Sequence, residues 1–386
     1  MNKKVFILIN TLGTGGAERV VSLLIHNWKN RYDITLVLLT DLIEYDLPKN
    51  ISIVCLKQPF MENGFLTTLK LPLLAWRYKN LCKKNGAGIS FSFLKRPNYM
   101  NCLSKLMGNK AKIIISERSY FSELVKTFPP LQRKFSIFLT ETLYPYADKI
   151  IVNSQLIKID LERNFNIHAP YSVINNPMNV ALMERLSKEE ADFPNNKSFN
   201  FINVGAFRKE KNHKNLIEAF HKIRHLNVRL FLLGHRFLKE DLMAKVKEMQ
   251  LESQVIFLGF DTNPFKYFSK CNCFVLSSDF EGFPNAMVEA MACGLPVIST
   301  DCRSGPREII APDTDPEANL TNHIEIAEFG ILVPIKNPQL LSEAMELMVK
   351  DEELHERLKQ KAKTRSADFE SDKIIGQFVE AMEFDG

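Results

Sequence analysis

Short apolar runs alternate with amphipathic stretches along almost the whole chain. In the first half, Val5–Ile9, Ile34–Leu39, Ile51–Cys55, Ile89–Phe93, Lys112–Ser116 and Lys149–Asn153 predict strands. They are short and rich in Ile, Val and Phe, as strands buried on both faces are. Helices are predicted between most of them, for example Ala17–Trp28 and Gln132–Tyr144. The second half repeats the scheme: strands at Asn200–Val204, Arg229–Leu233, Val255–Leu258, Cys273–Leu276 and Val297–Ser299, with helices such as Asn215–Arg224 and Asn285–Cys293. Leu216, Phe220 and Ile223 recur at helical spacing and give the first of these helices a buried stripe. Strand–helix alternation predicts a parallel sheet with helices on both faces. Because it occurs twice, the expected fold is α/β with two doubly wound domains. Asn175-Asn176-Pro177 and the polar stretch Ser187–Ser198 break the pattern between them. The expected division is 1–175, a linker over 176–198, a second domain over 199–365, and a final helix over 366–386 returning to the first domain.

Composition narrows the class. Of 386 residues, 45% are hydrophobic and 25% charged, which excludes a mostly disordered or collagen-like chain. No apolar run approaches the ~20 residues of a bilayer-spanning helix. The apolar run after Lys3-Lys4 is too short for a signal peptide, and Gly13, Gly15 and Gly16 follow it. It reads as a first strand, and the protein as cytoplasmic. Seven cysteines in no zinc-like spacing read as thiols in a reducing compartment.

Charge is divided unevenly. Residues 1–170 hold 24 Lys and Arg against 12 Asp and Glu, and the remainder 26 against 33, so +12 and −7 make up the net +5. Between Lys57 and Lys112, eleven bases and one acid, Glu62, are interleaved with Phe60, Phe65, Leu66, Leu69, Leu71, Leu73, Leu74, Trp76 and Tyr78. That mixture suits an anionic membrane surface. It carries no nucleic-acid-binding signature, so nucleic acid is not expected as a partner.

Ligands of open parallel sheets bind beyond the carboxyl ends of the strands, and the chemistry-bearing residues follow strands here. Gly13-Thr14-Gly15-Gly16 precedes a helix and permits close backbone approach. A G-x-G-x-x-G dinucleotide fingerprint is absent, because Arg19 stands three after Gly16. Gly205–Asn215 places Arg208, Lys209, Lys211 and Lys214 at a strand end and a helix start, an arrangement that suits a diphosphate. Asp279–Glu289 sets Glu281 in a loop and Glu289 eight positions on, in the next helix. Carboxylates accept hydrogen bonds from sugar hydroxyls. The turn Gly282-Phe283-Pro284-Asn285-Ala286 between them can offer the N–H groups of Phe283 and Asn285 to phosphates. No D-x-D motif ends a strand; Asp313-Thr314-Asp315 lies in a Pro-rich acidic loop. No metal is therefore expected.

Taken together, these stretches resemble the retaining glycosyltransferases of the large family 4, which have the GT-B architecture of two Rossmann-like domains facing across a cleft. The likeness is strongest over 199–334. Glu281 and Glu289 match an E-x7-E motif, and Arg208 and Lys211 match a diphosphate-binding Arg and Lys. Gly234, Phe257–Phe260, Gly294-Leu295-Pro296-Val297 and Gly330–Pro334 fall in family order. The first half matches more weakly, through Gly15-Gly16-Ala17-Glu18 and Val152-Asn153-Ser154.

The resemblance implies that Glu281 contacts the donor sugar, Glu289 the ribose, and Phe283–Ala286 the sugar and phosphates. Gly259 and Phe260 would lie by the base, and Gly16 would join the donor site. Arg208, Lys211 and Glu281 would carry catalysis by stabilising the departing diphosphate. Where many members have a histidine, this chain has Ser116-Glu117-Arg118-Ser119. Either Glu117 or Arg118 faces the acceptor there, or Glu117 pairs with Arg118. This stretch resembles the subset that builds bacterial lipid-linked oligosaccharides, capsules and O-antigens.

The implied activity moves a hexose or N-acetylhexosamine from a nucleotide sugar, UDP-linked by preference, to a polyprenyl-diphosphate-linked saccharide. The nucleotide sugar is a substrate, and no cofactor is expected. The enzyme would be peripheral on the inner face of the cytoplasmic membrane. The alternatives are a nucleotide-sugar 2-epimerase of the same fold and a non-catalytic partner subunit.

Overall fold

The computed structural model describes residues 3–13, 15–58, 69–194, 197–235 and 237–383. Phe60, Glu62, Phe65 and Leu66 of the basic segment lie outside them. The chain forms two compact units, residues 1–177 with 372–386, and residues 178–371.

The first unit is built on seven parallel strands: β1 (Lys4–Ile9), β2 (Asp33–Leu38), β3 (Ser52–Cys55), β4 (Ile89–Phe93), β5 (Lys112–Glu117), β6 (Lys149–Val152) and β7 (Tyr171–Val173). Their order is β3-β2-β1-β4-β5-β6-β7. β1 shows why the runs are continuously apolar. Val5, Ile7 and Ile9 enter one core with Val20, Leu24 and Trp28, while Phe6 and Leu8 enter another with Leu74, Tyr78 and Met100. Successive side chains point to opposite faces, and both faces are covered. The last helix, Ser371–Glu383, packs Ile374, Phe378 and Met382 into the first of these cores. Its Glu383 is held by Arg31 at 2.9 Å and by the Tyr32 hydroxyl at 2.6 Å.

The second unit carries β8 (Phe199–Val204), β9 (Val228–Leu233), β10 (Val255–Gly259), β11 (Cys273–Leu276), β12 (Val297–Thr300), β13 (Glu325–Ile326) and β14 (Ile331–Val333). Their order is β10-β9-β8-β11-β12-β14-β13, with β13 antiparallel to β14 and the remaining pairs parallel. Of the expected linker, 176–198, residues 178–194 do not stand apart. Met183, on the helix Val180–Leu186, is buried in this unit's core, and the Phe193 ring lies 4.2 Å from that of Phe231. Met178 and Ser371 are also tied into this unit, the first donating to Phe369 O at 2.7 Å and the second to Met178 O at 2.8 Å.

Each sheet reverses its winding once, between β1 and β4 and between β8 and β11. Loops diverge at such points and leave a crevice at the carboxyl ends. The glycine loop follows β1, the basic loop follows β8, and the Glu281 loop follows β11. No described helix is long and apolar enough to cross a membrane.

Candidate active site

The crevice of the second unit is assembled from the loops after β8 and β11. Asn212, in the left-handed region at φ 44°, turns the chain into the helix His213–Lys222 and caps it by accepting from Asn215 N. Beneath the loop, His213 Nε2 meets Asn203 Oδ1 at 2.9 Å, and Asn203 Nδ2 donates to Val275 O at 2.7 Å. Burial, aided by the Lys211 charge, pushes the His213 pKa down to about 3, so this histidine is neutral. The two loops are also bonded directly. Asn212 Nδ2 donates to Asp279 Oδ1 at 2.8 Å, Asp279 N to Glu210 O at 2.8 Å, and Ser277 Oγ to Lys211 O at 2.9 Å.

Across this frame the Lys211 ammonium grips the Glu281 carboxylate, at 2.6 Å from Oε1 and 2.8 Å from Oε2. Ser278 Oγ adds a third donor at 2.6 Å. The Glu281 side chain is 8% exposed and that of Lys211 28%, so the pair borders solvent. Arg208 is more open, its guanidinium 3.8 Å from Glu210. The Lys211–Glu281 pair thus sits at the reversal of the sheet, with Arg208 exposed on the same loop as Lys211. The arrangement can hold a diphosphate beside a hydroxyl-bearing ring.

The turn after Glu281 is held from behind. Glu281 N donates to Arg303 O at 2.6 Å, Ser304 N to Glu281 O at 3.2 Å, and Ser304 Oγ to Gly282 O at 2.9 Å. Gly305 has φ 98°, and a Cβ there would come within 2.6 Å of Pro284 Cδ. One expectation is corrected. Asn285 N–H is not offered by the turn, because it donates to Phe283 O at 2.9 Å. Phe283 is buried against Phe369, with ring centroids 5.5 Å apart. Ala286 lies in the first turn of the helix Asn285–Ala292, and Glu289 is buried one turn on.

Gly259, at φ 80°, ends β10, and the exposed Phe260 ring after it meets His235 edge-on at 4.6 Å. Gly234 beside them must be glycine, since a Cβ would lie 2.0 Å from Gly205 O.

In the first unit, Gly16 is exposed at the start of the helix Gly16–Trp28. Glu117 ends β5 and is 1% exposed, which removes it from direct contact with an acceptor. Its Oε1 receives Ser119 Oγ at 2.6 Å, Arg118 N at 3.0 Å and Ser119 N at 3.2 Å; its Oε2 receives the Tyr144 hydroxyl at 2.8 Å. Its salt-bridge partner is the Lys95 ammonium at 2.6 Å, not the Arg118 guanidinium. Burial pushes the carboxyl up, but the Lys95 charge and the hydrogen bonds outweigh it and leave the pKa below the ordinary value. Burial pulls Lys95 down, opposed by Glu117 and Asp160.

Arg118 points elsewhere, with Nη1 on Ser116 Oγ at 2.8 Å and Nη2 on Asn176 Oδ1. Burial brings its pKa down to about 9 against the opposing charge of Glu117. Sequence reasoning missed Lys95, Tyr144 and Ser278. Lys95 and Ser278 do follow strands, but nothing local marks a residue that serves another loop.

A family model for glycosyl transferases group 1 matches residues 185–365, which include both glutamates and both site cations. A transferase of Campylobacter jejuni is 37% identical over 96% of this chain and 97% of its own length. The chain belongs to the group 1 glycosyl transferases. That relative is the N-acetylgalactosamine-N,N'-diacetylbacillosaminyl-diphospho-undecaprenol 4-alpha-N-acetylgalactosaminyltransferase. A more distant member, the amylovoran biosynthesis glycosyltransferase AmsD of Erwinia amylovora, is 25% identical over 98% of the chain and 99% of its own length. The fold is GT-B, shared with Anabaena HepE solved with UDP, at TM-score 0.77 and 18% identity over 98% of this chain and 99% of that one. WaaG, a lipopolysaccharide-biosynthesis glycosyltransferase, aligns at TM-score 0.74 and 14% identity over 99% of this chain and 100% of that one.

Proposed function

We propose that this group 1 transferase moves an N-acetylhexosamine or hexose from a UDP-sugar to a polyprenyl-diphosphate-linked saccharide, with retention of configuration and without a metal. The reading rests on the Lys211–Glu281 pair, with Arg208 beside it, at the reversal point of the second sheet. It is supported by the names of relatives that act on undecaprenol-linked glycans and by a structural neighbour that binds UDP.

In this mechanism the bond from the anomeric carbon to the donor's β-phosphate oxygen breaks. Arg208 and Lys211 stabilise the charge left on the diphosphate, which is the main catalytic contribution. Glu281, an acceptor of hydrogen bonds, orients a sugar hydroxyl and is not an acid/base group. A leaving phosphate oxygen takes the proton from the acceptor hydroxyl as the new bond forms on the same face. Glu289 binds the ribose, and Gly259 and Phe260 flank the base. His213, buried and neutral on Asn203, is not poised as the acid/base an epimerase needs.

Access to a lipid-linked acceptor suits the helix Leu71–Asn85. It buries Leu71, Leu74, Tyr78 and Cys82 and turns Leu73 and Trp76 outward, with Leu69 just before it. Arg77, Lys83 and Lys84 are exposed on the same helix, a combination suited to the anionic inner face of the cytoplasmic membrane.

The test is a transfer assay in EDTA. UDP-linked hexoses and N-acetylhexosamines are offered against prenyl-diphosphate saccharides, and the anomer of the product is read by NMR. Transfer from one UDP-sugar with retained configuration is expected. No transfer from any donor, or transfer only with added metal, would overturn the corresponding part of the reading.

A further inference from the structure

The first unit holds a half-buried cation, Arg118, whose surroundings differ from those of Lys95 and Arg307. Lys95 has Glu117, and Arg307 has Asp301 at 2.7 Å and Glu325 at 2.9 Å. The Arg118 guanidinium, at the carboxyl end of β5, is held by two neutral oxygens, Ser116 Oγ and Asn176 Oδ1. The Phe93 ring centroid lies 5.6 Å from it. Among the described residues no carboxylate comes within ion-pair distance of it. The adjacent acid, Glu117, is already committed to Lys95, Tyr144 and Ser119.

A half-buried guanidinium beside neutral partners favours an arriving anion, and its planar fork matches phosphate oxygens. The place is also favourable. Arg118 stands two strands from β1 in the sheet, roughly 10 Å away. The loop after β1 leads into the thirteen-residue helix Gly16–Trp28, whose N-cap, Gly15, supplies no side-chain cap. The helix starts at the same sheet edge, with the Glu18 carboxylate folded back over Gly15 at its first turn.

We propose that Arg118 is a phosphate-binding residue of the first unit, positioned by the Glu117–Lys95 pair, and that it takes a diphosphate group of a substrate. The source of that group is either the lipid-linked acceptor or the donor. The proposal rests on the transferase reading above and adds a ligand-contacting residue to it.

Two acceptors of identical glycan separate the sources, one bearing a prenyl diphosphate and one a simple alkyl glycoside. If the acceptor supplies the phosphate, Arg118→Ala erases the KM advantage of the diphosphate acceptor by about ten-fold or more. UDP affinity by calorimetry then stays within about two-fold. If UDP binding falls by about ten-fold and the acceptor preference is kept, the donor supplies the phosphate and the assignment of Arg118 stands. If neither quantity moves in a folded variant, the proposal is overturned. Arg118→Gln keeps an amide donor for its neutral partners; it is read in the same way should the alanine variant not fold. Inorganic pyrophosphate titrated into Lys211→Ala, with and without Arg118→Ala, reports the site independently of turnover. Arg118-dependent pyrophosphate binding, when the parent protein transfers no sugar from any donor, would sink the transferase reading and leave this one.

Discussion

Each unit carries a lysine–glutamate pair at the carboxyl edge of its sheet, and both pairs close to 2.6 Å. Their surroundings differ. Glu117 is enclosed, is ion-paired with Lys95, and receives donors from Tyr144, Ser119 and the backbone of Arg118. Glu281 borders solvent and receives Lys211 and Ser278. A carboxylate surrounded by protein donors cannot exchange them for a ligand without exposing a buried charge, which costs several kcal/mol. A carboxylate at a crevice can exchange an ammonium for a sugar hydroxyl at small cost. The same two residue types therefore make a scaffold in one unit and, in the function proposed here, a site in the other.

The largest expected effect breaks the open pair. Glu281→Ala and Lys211→Ala should each lower kcat by about a hundred-fold or more, the scale for removing one preorganised stabilising group. Circular dichroism and the melting temperature should stay close to those of the parent. Turnover near the parent level in either variant would end the site assignment.

Next comes the closed pair. Glu117→Ala should cost about 3–5 kcal/mol of stability by stranding Lys95, measured by denaturant unfolding. Lys95→Met combined with Glu117→Gln should recover most of it. A loss below about 1 kcal/mol would mean that the two pairs are alike after all.

Acid sharpens the contrast. The Glu117 pKa is lowered on folding. Its contribution is thus fully present above the unfolded carboxylate value, about 4.3, and lost as pH falls through the folded one. Between about pH 5 and 3 the parent should lose melting temperature more steeply than Glu117→Gln. Parallel profiles would contradict the assigned direction.

The smallest effect concerns ligand exchange. Glu281→Gln frees Lys211 for phosphate, so UDP without its sugar should bind up to about five-fold tighter, matching a partner interaction of about 1 kcal/mol. Calorimetry reads this directly, and weaker UDP binding would mean that Glu281 supports the diphosphate site instead of competing for Lys211.

Much of this molecule is legible along the chain. The alternation of apolar runs with amphipathic helices specifies two parallel sheets, because a strand covered on both faces must be apolar throughout. The placing of Arg208, Lys211 and Glu281 directly after strands points to the carboxyl edge of the second sheet. Other features escape a linear reading. Residues 187–198 are polar and punctuated, yet within them the Phe193 ring finds Phe231, and Ala191 lies against the same core. Asn285 N–H is consumed by Phe283 O within the turn, a matter of a few dihedral angles that no residue type dictates.

Periodicity and loop position are local properties, so the succession of elements and the loops that bear the chemistry are written in the order of residues. Whether a charged side chain is scaffold or ligand contact is not local. It depends on how many donors and acceptors distant segments bring to it and on how far they exclude water. Glu117 draws Lys95 from the start of the helix Lys95–Leu106 after β4 and Tyr144 from the stretch before β6. Lys211 and Glu281 meet across 70 residues at an edge left open. Only the folded chain sets those partners, because desolvation and hydrogen-bond saturation are properties of a place in space and not of a position in sequence.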